Sequence, residues 1–196
     1  MDKNNIFPGT SPSFTSRISK DTLCAYQAVP IHPIDYTHCG LKWKFHGDND
    51  YTYMIDKRLM FGARKSPGIF HRITQSIRRM LENRNVNLVV YQDDFWLIAP
   101  TRELLSAHMN MTLSLLRKLG FGISWHKVEG PSTIITFLGI TINSQNMMLT
   151  LPEQKLSAFK DTLHKFATKK RASRRQLESL YGKMAWAQVV VKGGSI

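Results

Sequence analysis

An α+β fold follows from three features of this 196-residue sequence. Runs rich in β-branched and aromatic residues, separated by turn residues, recur through the first 150 positions. Two stretches of helical period interrupt those runs, and two more helices follow after residue 151. The expected organisation is a loose N-terminal lead-in at 1–20, a main α+β body at 21–150 and a helical segment at 151–196.

Residues 1–16 are rich in Asn, Pro, Ser and Thr and read as lead-in, with a short strand over 14–18 that ends near Lys20-Asp21. The stretch 19–33 mixes polar and apolar residues without a clear period. Residues 41–45 and 51–55 flank Gly47-Asp48-Asn49-Asp50, a hairpin signal. Ser66 is expected as an N-cap and Pro67 as the first helical residue, with Ile69, Phe70, Ile73, Ile77, Met80 and Leu81 on one stripe. Arg72, Arg78 and Arg79 fall outside it. Thr101 opens a second helix through Leu105, Met109, Leu113 and Leu116, closed by Gly120. Strands are expected at 121–124, 134–142 and 147–151. Pro152 starts a helix with Leu156, Phe159, Leu163 and Phe166 on one face. Ser173 and Gln176 form a capping box for the last helix, expected to bury Leu177, Leu180, Tyr181 and Met184.

The formal charge is +13 and the pI about 10.0, which points to a polyanionic partner. From Leu151 onward there are ten Lys or Arg against three Asp or Glu, so the C-terminal quarter carries more than half of the excess. Lys165, Lys169, Lys170, Arg171, Arg174 and Arg175 cluster where one tail helix gives way to the next. A hydrophobic content of 42% supports a packed core. No run approaches the ~20 apolar residues of a membrane span. Two cysteines, Cys24 and Cys39, are too few for a disulfide framework. An intracellular setting, cytoplasmic or nuclear, is the expectation.

The strongest chemical signal is Asp93-Asp94. Val89, Val90 and Tyr91 read as one strand, residues 95–98 as the next, and Gln92-Asp93-Asp94 as the link. Adjacent carboxylates between apolar flanks require a cation, and Mg²⁺ suits oxygen ligands and a phosphate substrate.

Tyr91-Gln92-Asp93-Asp94 resembles the Tyr-x-Asp-Asp signature of reverse transcriptases. Asp21-Thr22-Leu23-Cys24-Ala25-Tyr26, continuing through Val29-Pro30-Ile31-His32-Pro33, resembles their first acidic motif. Leu59-Met60-Phe61-Gly62-Ala63 with Ser66-Pro67 and Phe70 resembles the loop and helix beneath the incoming nucleotide. Leu119-Gly120-Phe121 leading to Lys127, and Phe137-Leu138-Gly139-Ile140, resemble the next motif and the primer-grip hairpin. Leu151-Pro152 with Lys155, then residues 176–184, looks like the thumb of retrotransposon enzymes, with DIRS-type and related LTR-type elements as the nearest group.

The resemblance implies a polymerase palm, an antiparallel sheet backed by helices, followed by a small helical thumb, with the fingers largely missing. It implies RNA-directed DNA synthesis from a deoxynucleoside triphosphate on a primed RNA or DNA template. Asp21, Asp93 and Asp94 would hold two Mg²⁺ ions, or Mn²⁺, and Lys127 would protonate the pyrophosphate leaving group. Tyr26, Phe61 and Gly62 would line the nucleotide pocket. Gln92, which replaces a small or apolar residue, would touch the primer, and Lys169, Lys170, Arg171, Arg174 and Arg175 the duplex backbone. Met60 stands where the family often has Pro. Only 20 residues precede Asp21, where relatives carry fingers, and no ribonuclease H segment follows, so the expected partners include those segments of a larger polyprotein. The alternative is a nucleic-acid-binding relic without catalysis. A zinc site from Cys24, His32, His38, Cys39 and His46 lacks finger spacing.

Overall fold

The computed structural model of the chain describes residues 13–19 and 26–190. The described residues divide into two compact units, one within 14–132 and a second that takes in 133–190. The sequence reading instead drew its line at 150–151. Residues 133–150 fall with the tail helices rather than with the preceding sheet.

The first unit is built on a four-stranded antiparallel sheet in the order β4-β5-β1-β6. β1 spans Phe14–Ser19, β4 Asn87–Tyr91, β5 Asp94–Ala99 and β6 Glu129–Ser132. β1 takes residues 14–19 out of the expected lead-in, because it pairs with β5 on one side and β6 on the other. Thr15, Ser16 and Ile18 are accordingly fully buried. β4 alternates, with Leu88 and Val90 inward, while Phe95 to Ala99 of β5 are buried without interruption. A strand with neighbours on both edges and cover on both faces tolerates such a run.

Strand alternation sends Ile18, Leu88, Val90, Phe95 and Leu97 into one core with helix α1, Ser66–Glu82, and helix α2, Arg102–Lys118. Ser66 is not the N-cap of α1. Lys65 holds that position in a helical conformation without a side-chain cap, and Ser66 is itself buried. The buried stripe runs Phe70, Thr74, Ile77 and Leu81, leaving Met80 exposed. Gln75 of α1 donates from Nε2 to the carbonyl of Val90 at 3.3 Å, fixing the helix to β4. Thr101 caps α2 as expected, accepting from the amide of Leu104, and Gly120 ends it at φ +79°.

Residues 121–124 form no strand; a short 3-10 turn, Trp125–Lys127, leads instead into β6, which pattern reading missed. Its Glu-Gly-Pro-Ser sequence has neither β-branched residues nor alternation, and only pairing with β1 makes it a strand. Arg17 and Glu129, opposite each other in that pairing, form an ion pair at 2.9 Å. β2, Gly40–Trp43, and β3, Thr52–Ile55, make the expected hairpin as a separate two-stranded sheet, exposed along its length.

In the second unit β7, Ile134–Phe137, β8, Ile140–Asn143, and β9, Met148–Thr150, form an antiparallel sheet. Leu138 and Gly139 turn between β7 and β8, both with positive φ, so the strand expected over 134–142 is two. Helix α3 covers Glu153–Ala167 and α4 covers Arg174–Ala187. The capping box of Ser173 and Gln176 is present, each side chain accepting from the other's amide. The expected burial is not: α3 has no fully buried residue, and on α4 Leu177 and Tyr181 are exposed while Ala187 is buried. Two helices and three short strands lack the surface to enclose both apolar stripes. Among the described residues no helix is long and apolar enough to cross a membrane.

Candidate active site

The β4–β5 hairpin turns in two residues, Gln92 and Asp93, because Tyr91 pairs with Asp94. Asp94 therefore belongs to the strand, one position earlier than the sequence suggested. Gln92 sits at φ +50°, in the left-handed region that a side chain occupies at a cost of about 1–2 kcal/mol. Gln92, Asp93 and Asp94 are half-buried. Strand alternation sets Asp94 on the face shared with Tyr91 and Trp96, away from the face that packs on α1 and α2.

Three chain segments end at this edge of the sheet. The antiparallel register brings the end of β1, at Ser19, opposite Asp94, and Glu129 at the start of β6 opposite Arg17. Lys127, half-buried in the turn just before β6, is thereby at the same end of the sheet as the carboxylates. Asp21 lies outside the described residues.

Tyr26 is buried, with its ring 5.0 Å from that of Phe70 and 5.8 Å from that of Phe61, both edge-on. Phe70 in turn meets Phe121 at 6.3 Å. Burial, and after it the negative charge of Asp93, holds the Tyr26 phenol above its ordinary value of 10.0. Tyr26, Asp93 and Phe61 thus share one neighbourhood, although 67 positions separate the first two in the sequence. Phe61 is 62% exposed, and Gly62 beside it has φ +86° with open space where a side chain would stand. This leaves an aromatic floor of Tyr26 and Phe70 with an accessible rim at Phe61 and Gly62.

Carboxylates at a hairpin tip, with no nitrogen or sulfur donor among them, suit a hard divalent cation. Among the described residues no three His, Cys, Asp or Glu side chains gather closely enough to hold a metal. Asp93 and Asp94 are the two adjacent carboxylates that the described residues place at this tip. Two supporting residues escaped the sequence reading. Gln75 fixes the carbonyl of Val90 three positions before Asp93, and Trp96 shares a face with Asp94. Helical and strand period marks such positions only once the register is known.

Lys169, Lys170 and Arg171 are exposed in the turn between α3 and α4 of the second unit, and Arg174 and Arg175 are exposed in the first turn of α4. Arg174 is paired with Glu178 at 2.8 Å, an acid one turn along that sequence reading overlooked. Lys169 donates to the side-chain oxygen of Gln176 at 2.9 Å.

Residues 18–142 match the family model described as reverse transcriptase (RNA-dependent DNA polymerase). The chain is 28% identical over 160 residues to the Gag-Pol polyprotein of gibbon ape leukemia virus, covering 80% of this chain and 9% of that protein. It is 28% identical over 153 residues to the Pol polyprotein of feline endogenous virus ECE1, covering 74% of this chain and 14% of that one. A foamy viral protease-reverse transcriptase solved with double-stranded DNA superposes with a TM-score of 0.73 at 17% identity, over 94% of this chain and 29% of that one. Another, solved with an RNA/DNA hybrid, gives 0.70 at 19% identity, over 89% of this chain and 21% of that one. The chain spans about a tenth of the polyproteins it matches. The likeness identifies the α+β body as a polymerase palm.

Proposed function

This chain belongs to the reverse transcriptase family, and on that premise we propose that it is the palm and thumb portion of an RNA-directed DNA polymerase that adds deoxynucleotides to a primer 3′ hydroxyl. The observation that carries the proposal is the convergence at one sheet edge. Asp93 and Asp94 sit on the hairpin tip, and the strand that precedes Asp21 ends opposite Asp94. Asp21, Asp93 and Asp94 are the residues proposed to hold two Mg²⁺, with Mn²⁺ as a substitute. Bound metal lowers the pKa of the attacking hydroxyl and neutralises charge on the phosphates.

The side chains supply the rest. Phe61 and Gly62 form the rim against which a nucleotide docks, and buried Tyr26 presents a rigid surface to its sugar, excluding a 2′ hydroxyl by contact. Lys127, at the same sheet end, is positioned to give a proton to departing pyrophosphate. Gln92, held in its left-handed turn, reaches toward the primer terminus. Lys169, Lys170, Arg171, Arg174 and Arg175 are proposed to meet phosphates of a template–primer duplex. The double-stranded DNA and RNA/DNA hybrid held by the solved relatives support that choice of ligand. The remaining partners in this reading are a deoxynucleoside triphosphate and the fingers and ribonuclease H segments of a polyprotein. A DIRS-type origin and an intracellular site of action complete it.

Primer extension on RNA and DNA templates tests the reading, with Asp93→Asn as the control. Extension by the parent and its loss in the variant is the expected result. Duplex binding without extension, even after addition of a fingers segment, would favour the binding-only alternative.

A further inference from the structure

The segment that carries Lys127 leaves α2 at Gly120 and rejoins the sheet at Glu129. Two buried residues, Phe121 and Ser124, pin it from inside. The amide of Phe121 donates to the carbonyl of Leu116 at 3.0 Å, and its ring meets that of Phe70. From Ser124 the chain makes one tight turn. The Lys127 amide donates to the Ser124 carbonyl at 2.8 Å, and the Val128 amide to the Trp125 carbonyl at 3.2 Å. A 3-10 turn of this length has poorer hydrogen-bond geometry than an α-helix and no further repeat to steady it. A side-chain contact steadies it from outside. The guanidinium of Arg117, in the last turn of α2, lies 4.8 Å from the centre of the Trp125 ring. That is inside the roughly 6 Å over which an indole face attracts a cation. Trp125 is 54% exposed, so core filling does not account for an indole at this position. The stack ties the first residue of the turn back to the helix that precedes it.

We infer that Arg117 and Trp125 are positioning residues for Lys127: their stack holds the turn so that the ammonium stays at the end of the sheet where Asp93 and Asp94 lie. The inference rests on the proton-donor role proposed above for Lys127. A general acid works only within hydrogen-bond reach of the atom it protonates, and a small misplacement carries a large loss of rate. Lysine bears its ammonium on a long flexible stem. The backbone beneath that stem has to be fixed if the charge is to return to one place. Arginine suits the outer hold, because its planar guanidinium stacks on an aromatic face and stays charged at any working pH. In this reading the stack touches no reacting atom and acts through Lys127 alone.

The test measures single-nucleotide addition to a primed template by the full chain, together with amide hydrogen exchange followed by NMR. Lys127→Gln should lower kcat by about a hundredfold, the low end for loss of a general acid. Trp125→Ala should lower kcat by about tenfold and leave KM for the deoxynucleoside triphosphate within about twofold. Trp125→Phe keeps a ring face for the guanidinium and should restore most of the rate. In the Lys127→Gln background, Trp125→Ala should cost less than about twofold, because the group it positions is gone. Arg117→Gln should speed exchange of the Lys127 and Val128 amides by about two- to fivefold, the worth of an exposed cation–π contact. Arg117 is exposed, so this variant reads the same contact should Trp125→Ala fail to fold. Equal exchange in Arg117→Gln and parent overturns the inference, as does an undiminished kcat in folded Trp125→Ala. A tenfold loss repeated in the Lys127→Gln background also overturns it, and so does a raised KM at constant kcat, which would make Trp125 a substrate contact. Full activity in Lys127→Gln sinks this inference and the donor role while the rest of the polymerase reading stands. A parent that adds no nucleotide, even with a fingers segment supplied, sinks that reading and this inference together.

Discussion

The carboxylate of Asp93 and the phenol of Tyr26 are electrostatically coupled: the charge on Asp93 adds to burial in keeping Tyr26 protonated above its ordinary value of 10.0. The pairing joins a hairpin tip to the residue beneath the proposed sugar site. Because the folded state holds this proton more tightly than the unfolded chain, stability is intact below pH 10 and falls as pH rises from there through the folded value, where burial and Asp93 both oppose the tyrosinate.

Asp93→Asn should therefore lower the ionisation midpoint of Tyr26 while leaving it above 10.0, since burial is the larger cause. Tyrosinate absorbance titrations of parent and variant, with Tyr26→Phe to identify the signal, measure the shift. Identical midpoints would show that the two side chains are not coupled.

Tyr26 also bears on substrate choice. Tyr26→Phe retains the ring and should retain discrimination against ribonucleotides. Tyr26→Ala should relax it and, because the ring is buried against Phe61 and Phe70, lower stability by about 3–5 kcal/mol through the cavity left behind. Relative incorporation of ribo- and deoxynucleotides, alongside denaturant unfolding, checks both. An equal change in the two incorporation rates would remove Tyr26 from the sugar-selecting role.

The basic turn makes a separate statement about binding. Replacing Lys169, Lys170 and Arg171 together by Ala should weaken duplex binding and flatten its salt slope by up to about three units, at about 0.9 per phosphate contact. Preference among duplex sequences should stay constant, because phosphate contacts carry no sequence information. An unaltered slope would make the turn a solubilising surface only.

His108 sets an acid limit on the fold. It is 7% exposed on α2, its Nδ1 has no hydrogen-bond partner among the described residues, and burial lowers its pKa below 6.5. The unfolded chain takes up the proton first, so stability is intact above pH 6.5 and falls as pH drops from there through the folded value, by at most about 1.4 kcal/mol per pH unit. Denaturant unfolding of the parent should show this slope, and His108→Gln should flatten it. An equal slope in both would assign the acid sensitivity elsewhere.

Local chemistry made much of this protein readable without coordinates. Two apolar strands around Gln92-Asp93-Asp94 define a hairpin, because alternation and turn residues act over a few positions. The Thr101 cap and the Ser173–Gln176 box are likewise hydrogen bonds within one turn of helix. β6 was illegible, since Glu129-Gly130-Pro131-Ser132 becomes a strand only through its pairing with β1.

The sequence by itself determined the polymerase-like order of motifs, the two carboxylates at a hairpin tip and the concentration of positive charge in the tail. Each is a property of neighbouring residues or of simple composition. Tertiary structure decided that Ser19, Asp94 and Lys127 share one end of a sheet, that Tyr26 lies within the field of Asp93, and that Lys155 meets Trp186 over Gly139. Those relationships depend on strand register and helix packing, which fix distances between residues far apart in the chain and leave no local pattern by which to read them.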